Sequence, residues 1–318
     1  MRTILITGAS GFLGSHFLDW FIRNDEDFDL WPMDIKPHPM GLPYDLQDME
    51  LWLEDFDIDV DIAIHMAAPV GGREKIEHDP LYNADSLRLD SVFFRWAVKH
   101  AKTVVYPSSS AVYGIQYQSE EGVRLQESML DLRTTDDIPK PDEMYGFTKL
   151  AGEMLAWKSA AYGLNTLCIR PFSGYGEGQS FEYPVSSIAR RAIAREDPLV
   201  VWGTGEQQRD FVHVNDLIAA TMARLEAGVD GYQTMNIGNG VPYSFNEIAQ
   251  ECARIVGYEP KIENLVDKPM GVQTRYADIR QMVRYYEPKT TLREGLERVI
   301  TFIRSGEETA GAEDDQGH

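Results

Sequence analysis

The sequence predicts an α/β fold, a doubly wound parallel sheet followed by a smaller C-terminal lobe. Three features carry that expectation. Short, nearly continuous apolar runs alternate with helix-like stretches through the first half, as parallel strands covered on both faces require. A glycine-rich turn, Gly8-Ala9-Ser10-Gly11-Phe12-Leu13-Gly14, follows the first of those runs directly. Beyond about Pro171, glycine, proline and aromatic residues cluster between shorter helical segments, which marks a change of architecture.

Taken in order, strands are expected at residues 3–7, 30–33, 62–66, 103–107 and 166–170. Helices are expected at 14–23, 86–100 and 146–162. Such alternation implies right-handed crossovers and a parallel sheet. A later run at 234–237 reads as a strand that rejoins that sheet. The expected division is therefore 1–171 for the first domain, with the returning strand, and 172–305 for the smaller lobe. Residues 114–143 are charged and irregular, and read as a surface excursion beside the functional site. Residues 306–318 contain five carboxylates and no apolar face, so a disordered acidic tail is expected.

Composition limits the function. Across 318 residues, 51 acidic side chains outnumber 30 Lys and Arg, for a net charge of −21. That balance disfavours nucleic acid and anionic membranes as partners. It leaves room for a local cationic pocket, for which Arg209 is the candidate. The two cysteines, Cys168 and Cys252, lie far apart and suggest no disulfide framework. Met1-Arg2 leads straight into the first strand, and no apolar run approaches the roughly 18 residues of a membrane span. A cytoplasmic protein is expected.

The turn after the first strand has the form that holds a dinucleotide. Gly8 permits the tight turn, Gly11 admits a pyrophosphate close to the backbone, and Gly14 lets the helix pack on the sheet. The helix then offers unpaired N–H groups and its positive dipole end to phosphate. Asp34 stands twenty residues beyond Gly14 at the end of the second strand. A carboxylate there accepts hydrogen bonds from ribose hydroxyls and repels a 2′-phosphate, which favours NAD over NADP. Lys36 is the countervailing cation.

Tyr145 and Lys149 are four residues apart, on one face of a helix. A phenol ordinarily titrates near pH ~10, and a neighbouring ammonium or oxidised nicotinamide favours its phenolate. Such a pair can move a proton while a hydride is transferred. Ser108-Ser109-Ser110 at the end of the fourth strand offers hydroxyls to the same substrate oxygen.

Over about residues 1–304 the chain resembles the extended short-chain dehydrogenase/reductases that act on nucleotide sugars, the epimerases and dehydratases, built on a Rossmann domain. The residues that carry the resemblance are Gly8 to Gly14, His65-Met66-Ala67-Ala68, and Ser108-Ser109-Ser110-Ala111-Val112-Tyr113-Gly114. Tyr145 to Lys149, Arg170-Pro171-Phe172-Ser173-Gly174-Tyr175-Gly176 and Arg209-Asp210-Phe211-Val212-His213-Val214-Asn215-Asp216 extend it. The resemblance implies that Ser109, Tyr145 and Lys149 are catalytic, with Tyr145 as acid/base and Lys149 also on the nicotinamide ribose. It places Phe12 and Leu13 at the pyrophosphate, Asp45 and Leu46 at the adenine, and Ala67 and Ala68 at the middle of NAD. Arg209 matches the arginine that grips the substrate diphosphate, and Ser109, Ser110, Ser173 and Lys268 are placed with the substrate. His213 is expected to be structural, and no metal is expected. A homodimer packed through helices 86–100 and 146–162 is implied.

The departures narrow the chemistry. Dehydratases of this family follow the catalytic Thr with Asp-Glu, whereas Ser110 and Ala111 stand here. Elimination then lacks its usual acid and base, which favours a 4-epimerase-like reaction through a 4-keto sugar. Dehydration, decarboxylation and 4-keto reduction are the alternatives. A non-catalytic NAD sensor is disfavoured, because such proteins typically lose the Tyr/Lys pair. Ser173 replaces the family's Asn, and Lys268 stands where a second diphosphate arginine is usual, keeping charge but losing bidentate geometry. The stretch from Asp85 to Asp90 departs from the usual Asn-x-x-Gly-Thr.

Overall fold

The computed structural model describes residues 2–24, 28–36, 53, 56–119 and 122–306. Its first half contains strands β1 (Arg2–Thr7), β2 (Phe28–Met33), β3 (Val60–His65), β4 (Ala101–Pro107), β5 (Arg124–Leu125) and β6 (Asn165–Pro171). Helices α1 (Phe12–Asn24), α2 (Arg73–His78), α3 (Asp85–His100) and α4 (Glu143–Ser159) lie between them. The second half has β7 (Ser173–Tyr175), β8 (Leu199–Trp202), β9 (Gln208–His213), β10 (Tyr232–Ile237), β11 (Pro242–Ser244), β12 (Ile262–Leu265) and β13 (Thr274–Ala277). Its helices are α5 (Pro184–Ile193), α6 (Val214–Glu226), α7 (Phe245–Val256) and α8 (Leu292–Arg304).

Six strands form a parallel sheet in the order β10-β6-β4-β3-β1-β2. The chain leaves β1 for β2 on one side and then returns to β3 on the other. Strand order therefore reverses between β1 and β3, and ligands of such sheets bind in the crevice at their carboxyl ends. Alternate residues of β1 face opposite cores, as buried parallel strands do. Leu5 packs with Phe93, Val104 and Leu150, toward α3 and α4. Ile4 and Ile6 pack with Phe17, Leu18 and Leu217, toward α1 and α6. The expected α/β fold with a parallel sheet is thus present. Two segments from beyond residue 171, α6 and β10, complete it; the sequence reading assigned only the strand.

A third core, around Val185, Ile188, Phe211, Ile248 and Leu296, joins α5, α7 and α8. Local signals set these helices. Ser244 and Glu247 form a capping box at the start of α7, and Gly257 ends it in the left-handed region at φ 84°. Thr291 and Glu294 do the same at the start of α8, a device worth about 1 kcal/mol. Gln208, Arg209 and Asp210 of β9 pair with β11, and β13 pairs with both β9 and β5. That second sheet delivers Arg209 to the cleft.

Helix α4 needs special provision because it packs tightly on β4. A Cβ at Gly152 would overlap the Tyr106 hydroxyl and lie 2.7 Å from Asp90 Oδ2. One residue on, Glu153 is fully buried and accepts from Arg170 Nε at 2.8 Å and Nη2 at 2.7 Å. Tyr232 Oη donates to the same carboxylate at 3.1 Å, and Ser108 Oγ also donates to it. Replacing Glu153 by Ala leaves a guanidinium buried without its counter-charge, so a loss of about 3–5 kcal/mol is expected. Urea denaturation of the two proteins measures it; a difference below about 1 kcal/mol would be too small for an orphaned buried charge.

Candidate active site

The glycine turn sits where β1 and β3 end. Gly8 has φ 69°, and a Cβ there would come within 2.6 Å of the Met66–Ala67 backbone. A Cβ at Gly14 would overlap the Gly8 carbonyl oxygen. No side chain larger than glycine fits either place without moving backbone. Thr7 links the two strand ends: its carbonyl accepts from Met66 N at 2.9 Å, and its Oγ1 accepts from Ala67 N at 3.3 Å. Phe12 and Leu13 open α1 beside this turn. Asp34 follows β2, and its carboxylate accepts from Ser10 N at 2.9 Å and Lys36 N at 3.0 Å. The turn, the helix start and this carboxylate share one edge of the sheet, so the residues fit a dinucleotide. Asp45 and Leu46 lie outside the described residues.

Ser109 ends the turn after β4, half-way into a cap: its Oγ accepts from Ala111 N at 3.1 Å. Ser109, Ser110 and Ala111 are all buried. Asp142 N donates to Ala111 O at 2.9 Å, and a Cβ at Gly146 would overlap that same carbonyl. These contacts hold the Ser109 turn against the first turn of α4, which carries Tyr145 and Lys149 one helical turn apart. Tyr145 is half-buried and Lys149 is buried, its Nζ 5.5 Å from the centroid of the Tyr106 ring. Ser173 lies on β7, paired with Phe211.

Arg209 is buried, and its Nη1 and Nη2 donate to Gln208 O at 2.7 Å and Met270 O at 3.2 Å. Burial first, and repulsion from Arg275 second, push its guanidinium down to about 9. Arginine retains its proton regardless, so the shift marks a cation that the protein leaves poorly compensated. Asp142 lies nearby, its Oδ1 3.0 Å from Arg73 Nη1 and its Oδ2 2.6 Å from Arg275 Nη2. Burial alone would raise this carboxyl; Arg275 and Arg73 outweigh that and hold it below its ordinary range. Lys268 Nζ stands 5.2 Å from the Trp202 ring centroid.

The sequence reading singled out neither Arg73, Asp142 nor Arg275. Arg275 is the register partner of Arg209 across β13 and β9, a relation that spacing along the chain does not reveal. His213 caps α6 by accepting from Asn215 N at 3.2 Å, and its Nε2 lies 3.1 Å from Glu177. Among the described residues, no group of three or more His, Cys, Asp or Glu side chains could hold a metal ion. No described helix is long and apolar enough to cross a membrane.

Comparison with known proteins places this arrangement. Residues 4–238 match the model of the NAD dependent epimerase/dehydratase family. The chain belongs to that family. Among curated members, a putative UDP-glucose 4-epimerase of Methanocaldococcus jannaschii is 28% identical, over 96% of this chain and all of that protein. A dTDP-4-dehydro-6-deoxy-D-allose reductase of a Streptomyces species is 27% identical, over 95% of this chain and 96% of that one. The solved structure of MoeE5 in complex with UDP-glucose and NAD superposes with a TM-score of 0.81 at 30% identity, covering 97% of this chain and 100% of that one. A carboxylate at this edge of the sheet disfavours a 2′-phosphate, which gives an expectation for Asp34. NAD should bind at least about 10-fold more tightly than NADP, and Asp34→Asn should narrow that margin. Fluorescence titration with both nucleotides measures it, and tighter NADP binding would refute the role given to Asp34.

Proposed function

We propose that the protein is an NAD-dependent nucleotide-sugar 4-epimerase. The observation that carries the reading is the convergence of the Ser109 turn with the first turn of α4, which holds Tyr145 and Lys149, with Ser110 and Ala111 rather than carboxylates beside them. In this reading Tyr145 takes the proton of the sugar 4-hydroxyl and returns it, while Ser109 and Ser110 hold the sugar. Lys149 supplies positive charge beside the phenol and binds the nicotinamide ribose. NAD, when bound, accepts a hydride from the sugar and gives it back. Gly8, Gly11, Phe12, Leu13, Gly14, Asp34, Asp45, Leu46, Ala67 and Ala68 hold the cofactor, and Ser173 and Arg209 serve the nucleotide sugar. The absence of an acid/base pair at 110 and 111 argues against elimination of water.

A 4-keto reductase is the second reading, favoured by the likeness to the Streptomyces reductase. The two differ in hydride balance: an epimerase regenerates its cofactor each turnover, whereas a reductase consumes reduced nucleotide. The reading also takes residues 1–171 with the returning strand as the cofactor domain, 172–305 as the substrate lobe, and the cytoplasm as the location. A homodimer through α3 and α4 is supported by Phe147 and Met154, two exposed apolar residues seven apart on α4. Light scattering tests that assembly.

UDP-, GDP- and dTDP-hexoses should be offered to the NAD-loaded protein and the products examined for inversion at the 4-position. Tyr145→Phe should lower kcat by about 10²–10⁴-fold with little change in substrate affinity, the range expected for loss of a general acid/base. A Tyr145→Phe protein as active as wild type would overturn the mechanism. Net consumption of NADH or NADPH with a 4-keto sugar would favour the reductase instead.

A further inference from the structure

Three guanidiniums converge beside α4. Arg209 and Arg275 are direct partners across β9 and β13, and neighbouring residues in register project from the same face of a sheet. Arg73 comes from a separate element, at the start of α2. A methyl group at Gly271 would lie 3.2 Å from Arg73 Cζ and 3.3 Å from Arg209 Nη2, so those two side chains approach one glycine.

Asp142 is the carboxylate that touches two of them, with Arg73 Nη1 3.0 Å from both of its oxygens and Arg275 Nη2 at 2.6 Å. Glu77 also pairs with Arg73. Arg209 has no carboxylate partner among the described residues; it meets two neutral carbonyls and, at 5.8 Å, the Phe245 ring. In a chain of net charge −21, one buried and two partly buried cations that share two carboxylates leave a site that another anion stabilises.

We propose that Arg73 and Arg275, held in place by Asp142, form with Arg209 a three-guanidinium seat for a nucleoside diphosphate, and that Arg275 rather than Lys268 is the second diphosphate-gripping residue. Identification of the anion rests on the nucleotide-sugar reading above. Guanidinium forks match pairs of phosphate oxygens, whereas a lysine offers a point charge, and Lys268 spends its charge over the Trp202 ring. Asp142 keeps the two flanking guanidiniums from repelling each other. It is also the residue immediately before α4, three positions ahead of Tyr145, so the seat for the anion is tied to the helix that bears the acid/base.

The test is calorimetric titration of the NAD-loaded protein with UDP, GDP and dTDP and with the matching monophosphates. Wild type should prefer one diphosphate over its monophosphate. Arg275→Met should cut that preference by about 10–100-fold, the value of a charge-assisted hydrogen-bonded contact. Arg73→Met should reduce it in the same direction, Arg275→Lys should fall between, and Lys268→Met should change it by less than about 3-fold. NAD affinity should be unchanged in all four. A merely structural role for Arg275 would weaken diphosphate and monophosphate alike and leave the ratio intact.

If Arg275→Met does not fold, Arg275→Met with Asp142→Asn restores the charge balance and carries the same expectation. The proposal is overturned if wild type shows no preference for any diphosphate. It is equally overturned if the foldable Arg275 variant keeps the wild-type ratio, or if Lys268→Met lowers it as much. Diphosphate selectivity that depends on Arg275, without inversion of any sugar, would uphold the seat and sink the epimerase reading.

Discussion

Glu153 and Arg170 meet with no solvent on either side chain, and the position of α4 follows from their contact. Arg170 lies on β6, between β10 and β4 of the parallel sheet, and Glu153 lies two turns along the helix from Tyr145. The guanidinium also donates to Tyr113 Oη at 3.0 Å and Leu130 O at 2.8 Å, and Tyr113 Oη donates to Asn236 Oδ1 at 2.6 Å. One ion pair therefore fastens the helix, the turn after Ser109, the returning strand β10 and the β5 region to each other. Replacing such a pair by apolar residues can be neutral in stability. Its value here is positional, because α4 carries Tyr145 and Lys149 and Tyr113 closes the turn that Ser109 begins.

The cleft has the opposite electrostatic character from the surface. Outside, carboxylates dominate; inside, Lys149, Arg73, Arg209 and Arg275 stand close to the start of α4. That contrast favours an anionic small molecule over a polyanion, since a long phosphate backbone would have to run across repelling surface to reach the arginines. The strand ends at Gly8 and Met66 bring the glycine turn beside the first turn of α1, whose free N–H groups are suited to phosphate.

What was legible in the sequence was what depends on local chain geometry. The glycine turn is dictated by contacts within and next to it, and the strands by continuous apolar runs, so both are written in order along the chain. Tyr145 and Lys149 are legible because a helix fixes their relation. The motif from Arg209 to Asp216 was legible as a unit, yet its members do different things. Arg209 lies beside Arg275 and donates to Met270 O, while Asp210 accepts from Asn239, Gly240 and Ala277 N–H groups and Asp216 from Tyr286 and Thr290. Arg73, Asp142 and Arg275 were not legible, because they meet only through the packing of a loop, a helix end and a sheet register. The same is true of α6, whose apolar face gives no sign that it completes the first layer.

Asp90 shows how a departure in sequence is absorbed by the fold. It is buried on α3, and Tyr106 Oη donates to its Oδ2 at 2.7 Å. Its Oδ1 lies 3.2 Å from His65 Nε2, and His65 Nδ1 lies 2.7 Å from Thr7 Oγ1. The Asp90 carboxylate can only accept, so the proton of a neutral His65 sits on Nε2 and Thr7 Oγ1 donates to Nδ1. Burial holds the His65 pKa below its ordinary value despite the carboxylate beside it, which keeps the ring in that neutral form. The carboxylate is thus satisfied from both sides without a formal counter-ion in contact. The phenol that donates to it becomes richer in electron density, and it is the face of that same ring over which Lys149 rests. A buried ammonium and a buried carboxylate are thus balanced across one tyrosine.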